Sequence, residues 1–215
     1  MNRDLTDYRK SYNKGYLNED EISDAPLSIF SDWFKVAEED EAIDEANAMT
    51  LGTIGLDGFP KTRIVLLKHY DDKGFVFYTN YTSEKGEAIS HNGRVCISFF
   101  WPSLERQVII QGIAEKISDE QSTAYYKLRP RGSQLGAWVS DQSAVIDSRA
   151  VLEEKLQILE TRYQGKSIPK PDFWGGFRVK PVSFEFWQGR ENRLHDRIRY
   201  TPTSDSSWKI DRLSP

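Results

Sequence analysis

The stretch RLHDRIRY, residues 193–200, sets a histidine between two arginines at two-residue spacing. Side chains of a strand alternate between its faces. Read as a strand, it puts Arg193, His195 and Arg197 on one face and Leu194 and Asp196 on the other. Three cationic groups on one face repel one another, so that face is either solvated or lines an anion pocket. Just upstream, FEFWQGRE supplies Trp187, whose indole suits the wall of a planar ligand site. A second cluster is YYKLRPRGSQ. Tyr125 and Arg129 are four apart, hence on one helix face; Pro130 ends that helix, and Ser133 follows in a loop. A phenol, a guanidinium and a hydroxyl together suit phosphate recognition, although the same residues also decorate ordinary helix ends.

Two more stretches carry charge next to regular structure. In YTNYTSEKG, Tyr78 and Thr79 close a strand and Lys85 opens a short helix, where backbone N–H groups can also receive an anion. A solvated turn has the same composition. In RIVLLKHY, residues 63–70, Arg63 shares a strand face with Val65 and Leu67, and Lys68 shares the other with Ile64 and Leu66. This is either a core strand with solvated ends or a strand that holds two separate anions.

Other chemistries lack their motifs. There is no G-x-x-x-x-G-K-[ST] loop and no G-x-G-x-x-G after a strand. His69, His91 and His195 do not make H-E-x-x-H, so no metal site is expected. RGSQLG is not the G-x-S-x-G turn of serine hydrolases. The single cysteine, Cys96, lies in the apolar run VCISFFW and reads as a buried structural thiol.

The elements that must position these groups read mainly β. Residues 1–23 are polar and tyrosine-dotted and are expected to be mobile, followed by one domain over 24–215. SDAPLSIFSDWFKVAEEDEA predicts an amphipathic helix with Asp24 as N-cap, Pro26 in its first turn and an apolar stripe of Leu27, Phe30, Trp33 and Phe34. From Met49 onward, short alternating runs separated by DGFP and DDKG predict an antiparallel barrel or sandwich. SDEQSTAYYKLR carries Ser118 and Gln121 at capping-box spacing, and SRAVLEEKLQILETRYQG predicts a helix ending at Gly165. Strands then return in FRVKPVSFEFWQG, RLHDRIRYT and SSWKIDRL.

With 215 residues the chain is long enough for a full core, and 13% aromatic content supplies flat walls. A net charge of −4 argues against a general nucleic-acid binder and leaves the local basic clusters for small anions. Neither a signal-peptide core nor an apolar run of membrane-spanning length is present, so a cytoplasmic protein with no membrane partner is expected.

Taken in order, RIVLLKHYDDKGFVFYTN, LERQV, RPRGSQLGAWVSDQS, FWGGFRV, FWQG, RLHDR and WKIDRLSP make the chain resemble the pyridoxine/pyridoxamine 5'-phosphate oxidase family from about Tyr8 to Pro215. The resemblance implies an FMN-binding split β-barrel that works as a homodimer with flavin sites shared between subunits. It implies FMN contacts from Arg63, Ile64, Val65, Leu66, Leu67, Lys68, Tyr78, Thr79, Lys85, Gln107, Gln142, Ser143, Trp187 and Arg197. The substrate's phosphate falls to Lys68, Tyr125, Arg129 and Ser133, its ring lies near Arg193 and His195, and Arg9 and Tyr12 close the site. Arg193 and His195 are the catalytic candidates. The implied reaction oxidises C4' of pyridoxine or pyridoxamine 5'-phosphate to the aldehyde of pyridoxal 5'-phosphate. Hydride passes to the flavin, O2 reoxidises it with release of H2O2, and the amine also yields ammonia. One departure stands out: Glu84 in SEKG sits where the family often carries a cation, which implies looser FMN. The rival readings are a flavin reductase-like split-barrel protein and a non-catalytic carrier of flavin or pyridoxal phosphate.

Overall fold

Alternation of buried and exposed residues marks the strands that frame the chain. The computed structural model describes residues 3–20, 22–205 and 207–215. Among these the order is α1 (Pro26–Glu39), β1 (Ala48–Ile54), β2 (Pro60–Leu66), β3 (His69–Asp71), β4 (Gly74–Asn80), α2 (Glu84–His91), β5 (Arg94–Trp101) and β6 (Arg106–Lys116). Three helices follow, α3 (Asp119–Leu128), α4 (Arg131–Val139) and α5 (Arg149–Arg162), then β7 (Trp174–Gln188), a 3-10 turn (Glu191–Arg193), β8 (Asp196–Pro202) and β9 (Trp208–Arg212). The strands form one sheet in the order β2-β1-β5-β6-β7-β4-β3, with β8 paired to β7 and β9 to β8. The β4–β7 and β7–β8 pairs are antiparallel, with Tyr78 opposite Gly176 and Trp187 opposite Arg197.

The chain divides into two compact units, residues 1–49, 97–111 and 181–215 in the first, and 50–96 and 112–180 in the second. The first is organised by aromatic packing. Phe30 meets Phe99 at 5.2 Å, Trp33 meets Phe186 edge-on at 5.4 Å, and the Arg106 guanidinium lies 4.5 Å over Trp33. These contacts explain the apolar stripe of α1, whose buried face is Pro26, Ile29, Phe30, Trp33, Phe34 and Ala37, with Leu27 only partly covered. Asp24 is not its cap. Ala25 occupies that position without a side-chain bond, and Pro26, lacking an N–H, leaves one orphan donor fewer to satisfy.

In the second unit Phe77 packs on Phe177, and Tyr126, Leu135, Ile168 and Trp174 form a cluster that Leu156 and Leu159 of α5 cover. Three local expectations are corrected here. RIVLLKHY is not one strand: β2 ends at Leu66 and β3 starts at His69, with the Lys68 N–H still bonded to the Val76 carbonyl at 2.9 Å. Ser133 lies in α4, because Pro130 ends one helix and its extended backbone caps the next. The helix α5 stops at Arg162, and Gly165 takes a left-handed φ of 68° three residues later. The expected Ser118 cap is present, its hydroxyl accepting the Gln121 N–H at 3.2 Å.

Gly112 in β6 allows close strand approach, since a Cβ there would lie 2.5 Å from the Lys180 carbonyl oxygen. Gly112→Ala should therefore cost about 1–3 kcal/mol and lower Tm by several degrees, read by calorimetry. An unchanged Tm would show that the strand yields freely at this point.

Candidate active site

Two adjoining cavities of the second unit gather the cations read from its sequence. One, of about 400 Å³, is lined by Ile64, Val65, Leu66, Lys68, Tyr78 and Thr79, by Lys85, Tyr125, Arg129 and Ser133, and by Gln142 and Trp174. The other, of about 560 Å³, is lined by Lys61, Arg63, Glu84 and Ser143 and shares Ile64, Lys85 and Gln142 with the first. Arg63 and Lys68 therefore serve different cavities from one stretch of chain. Leu67 is buried and lines neither.

The floor of the first cavity is aromatic. Tyr78 stacks on Tyr125 with centroids 3.9 Å apart and on Trp174 at 5.4 Å, while the Arg129 guanidinium lies 4.7 Å over Trp174. The corner after α3 aims Arg129. Gln134 Nε2 donates to the Arg129 carbonyl at 2.9 Å, and the Tyr126 hydroxyl donates to the Gln134 carbonyl at 2.8 Å. Arg129 Nη1 is buried without a hydrogen-bond partner. A buried guanidinium nitrogen of this kind is matched by an anionic oxygen.

Lys85 is the second sign of an anion site. It is 9% exposed and donates to Ser83 Oγ at 3.3 Å and to Gln142 Oε1 at 3.0 Å, both neutral. Burial first, then the charge of Arg63, holds its ammonium below its ordinary pKa, against the opposing pull of Glu84. Thr79 Oγ1 donates to the same Gln142 oxygen at 3.1 Å. Arg63 is fixed by Thr53 Oγ1 at 2.6 Å and by the Leu51 carbonyl at 3.3 Å. Glu84 turns toward Lys61, at 2.5 Å, with Arg63 at 3.9 Å. Its charge is thus paired at the rim. A set of Arg63, Lys85, Thr79, Gln142 and Ser143 around these cavities fits an anionic group such as a phosphate.

The remaining candidates belong to the first unit. Trp187 lies 4.8 Å from His195, and Tyr12 meets Trp187 edge-on at 5.8 Å. Residues 12–17 are held by backbone bonds: the Asn13 and Lys14 N–H groups donate to the buried carboxylate of Glu105 at 2.9 and 3.0 Å. Arg197 pairs with Glu185 at 2.8 Å, and Gln107 Nε2 donates to Ser98 Oγ at 3.3 Å. Arg9 is exposed and bonds locally to the Thr6 carbonyl, so it joins none of these groups. The strand expected from Arg193 begins only at Asp196. Arg193 and Asn192 sit in a turn with left-handed φ values of 62° and 55°, strain of about 1 kcal/mol or more each. The shared face of Arg193, His195 and Arg197 is corrected accordingly.

Trp174, Gln134 and Arg190 were not singled out from sequence, and Asp196 was placed on a strand face without a role. All four stood within quoted blocks, but Gln134, Arg190 and Asp196 act through bonds that no local pattern announces. Asp196 is 14% exposed, and its carboxylate accepts from the Leu17 N–H, Arg190 and Arg212. Burial alone would raise its pKa; these three donors outweigh it and hold the carboxyl below its ordinary range. His195 is held below its usual pKa by burial first and by Arg193 second.

The antiparallel sheet and the cation-lined, aromatic-floored cavities define a split-barrel protein with sites for phosphorylated planar ligands. Residues 36–163 match the family model described as pyridoxamine 5'-phosphate oxidase, and residues 174–215 match the pyridoxine 5'-phosphate oxidase C-terminal dimerisation region. The chain belongs to the pyridoxine/pyridoxamine 5'-phosphate oxidase family. It is 58% identical to the protein of that name from Flavobacterium johnsoniae over 98% of this chain and 99% of that one. It is 56% identical to the Christiangramia forsetii protein of the same name over the whole of both. Among solved structures, PhzG from Burkholderia lata in complex with tetrahydrophenazine-1-carboxylic acid superposes with a TM-score of 0.87 at 26% identity, covering 96% of this chain and all of that one. A related FMN binding protein from Nostoc punctiforme shares the fold, with a TM-score of 0.70 at 16% identity over 90% of this chain and all of that one. No helix of the described residues is long and apolar enough to cross a membrane.

Asp196 yields a pH prediction with a definite sign. Its folded pKa lies below the unfolded value, so its contribution is present above about pH 4 and is lost as pH falls through the folded value. Asp196→Asn should be less stable than the parent by about 1–3 kcal/mol at pH 7, with the gap narrowing as pH falls below about 4 in urea titrations. A gap that stays constant with pH would refute this.

Proposed function

We propose that this chain oxidises pyridoxine 5'-phosphate or pyridoxamine 5'-phosphate at C4' to pyridoxal 5'-phosphate, with FMN as cofactor and O2 as final oxidant. The alcohol with O2 gives the aldehyde and H2O2; the amine with O2 and water gives the aldehyde, ammonia and H2O2. The observation that carries this reading is the unpartnered, buried Arg129 Nη1 in one cavity with Lys68, Tyr125 and Ser133. Four such groups suit a phosphate ester carried by the substrate, apart from any phosphate of the cofactor.

Bound FMN supplies the two-electron acceptor. The protein's own part is orientation and charge. Lys68, Arg129, Tyr125 and Ser133 hold the substrate phosphate. The phenols of Tyr78 and Tyr125 can serve as donors, and burial pushes their pKa values further up. Arg63, Lys85, Gln142, Ser143 and Thr79 hold the cofactor phosphate and polar edge, and the apolar side chains of Ile64, Val65 and Leu66 line the cavity beside them. Arg193 and His195 hold the substrate ring, Tyr12 closes over it, and Trp187, Gln107 and Arg197 complete the cofactor's surroundings. Trp187, Arg193, His195 and Arg197 all fall in the segment matched by the dimerisation region, which supports a homodimer whose flavin sites draw on both copies. A cytoplasmic location fits the substrates.

Three measurements test the reading. Under anaerobic conditions the flavin absorbance should bleach on adding pyridoxine 5'-phosphate and return with air; a band indifferent to that substrate would sink the proposed reaction. Arg129→Met keeps the packing on Trp174 but removes the charge, and should weaken pyridoxal 5'-phosphate binding by roughly 10- to 150-fold in calorimetry. Glu84→Arg should slow FMN dissociation by replacing a rim carboxylate with a cation; no slowing would show that Lys61 already cancels Glu84.

A further inference from the structure

The turn that carries Arg193 and His195 is closed twice by one residue. The Arg190 N–H donates to His195 Nδ1 at 3.0 Å, and Arg190 Nη1 donates to Asp196 Oδ2 at 2.9 Å. A peptide N–H can only donate, so Nδ1 must be an acceptor and the ring proton of the neutral imidazole must sit on Nε2. Asp196 also fastens this turn to two other segments. Its Oδ2 accepts from the Leu17 N–H at 3.0 Å, and its Oδ1 accepts from Arg212 Nη1 at 2.8 Å. Arg212 in turn donates to the Leu17 carbonyl at 2.7 Å and pairs with Glu19. Between the two closures lie the left-handed Asn192 and Arg193, a conformation that persists only when its surroundings hold it.

We propose that Asp196 is a positioning residue: together with Arg190 it holds His195 as the Nε2–H tautomer, so that the imidazole meets the substrate as a hydrogen-bond donor. With Nδ1 occupied and Nε2 protonated, the neutral ring has no lone pair with which to take the proton of a C4' hydroxyl or ammonium. Its task is to donate to a substrate oxygen, and the same clamp presents Arg193 beside it. This inference rests on the assignment of Arg193 and His195 to the substrate site.

Only three histidines are present, so long-range 15N–1H correlation spectra of the full chain can be assigned by comparison with His195→Gln. At pH 8, without substrate, His195 should show the Nε2–H pattern alone. In Asp196→Asn and in Arg190→Gln, which keeps the backbone donor, the Nδ1–H form should appear while His69 and His91 are unchanged. Hydrogen exchange at the backbone amide of position 190 should rise about tenfold in both variants, the loss expected for one hydrogen bond. An Nδ1–H pattern in the parent, or unaltered signals from His195 and from the amide of position 190 in both folded variants, would overturn the proposal. None of these readouts needs turnover, so failure of the oxidase reading would appear separately, in the anaerobic flavin spectrum.

Discussion

Lys85 keeps its ammonium out of water, and such a group is costly to bury unless its protons find acceptors. Ser83 Oγ is one acceptor, and it also receives the Gly86 N–H as the cap of α2. Gln142 Oε1 is the other, and it also receives the Thr79 hydroxyl from the end of β4. One desolvated charge thus ties a strand end, a helix start and residues 140–143 together. Gly86 permits this closeness, since a Cβ there would lie 2.3 Å from the Tyr81 carbonyl oxygen. Arg63, anchored by Thr53, adds a second cation whose field lowers the Lys85 pKa further. Such a site is poised for an anion, which stabilises the charges that the fold has taken from water.

Arg129 follows the same logic on an aromatic base. Its guanidinium lies over Trp174, which stacks with Tyr78 and Tyr125, so the rings fix its plane while the Gln134 corner fixes its backbone. In the first unit the sign is reversed. A half-buried carboxylate, Asp196, collects donors from three segments and so holds a strained turn. Charge burial fixes geometry in both units, and hydrophobic packing, from Phe30 on Phe99 to Phe77 on Phe177, supplies the stability that offsets its cost.

Much of the strand pattern was legible, because a period of two in β1 and β6 reflects one face turned to the core. Helix boundaries were less so. Pro130 reads as a stop, yet it also starts α4, and which role prevails depends on what Leu135 can pack against. The left-handed turn at Asn192 and Arg193 was illegible for a related reason: neither residue is a glycine, and the closures made by Arg190, with the Leu194 N–H on the Glu191 carbonyl, hold them there.

What the sequence alone determined is the inventory and its rhythm: the antiparallel strands, the cations at 63, 68, 85 and 129, the aromatic walls, and the ordered blocks that mark the family. Residue type and short-range spacing carry these, because they depend on chain stereochemistry within a few residues. Tertiary structure decided which cations share a cavity, which carboxylate quenches which charge, and which nitrogen of His195 holds the proton. Those outcomes rest on contacts such as Leu17 with Asp196 and Thr79 with Gln142, between residues far apart in the chain. No local pattern encodes them, because desolvation and hydrogen bonding are set by neighbours that only folding brings together.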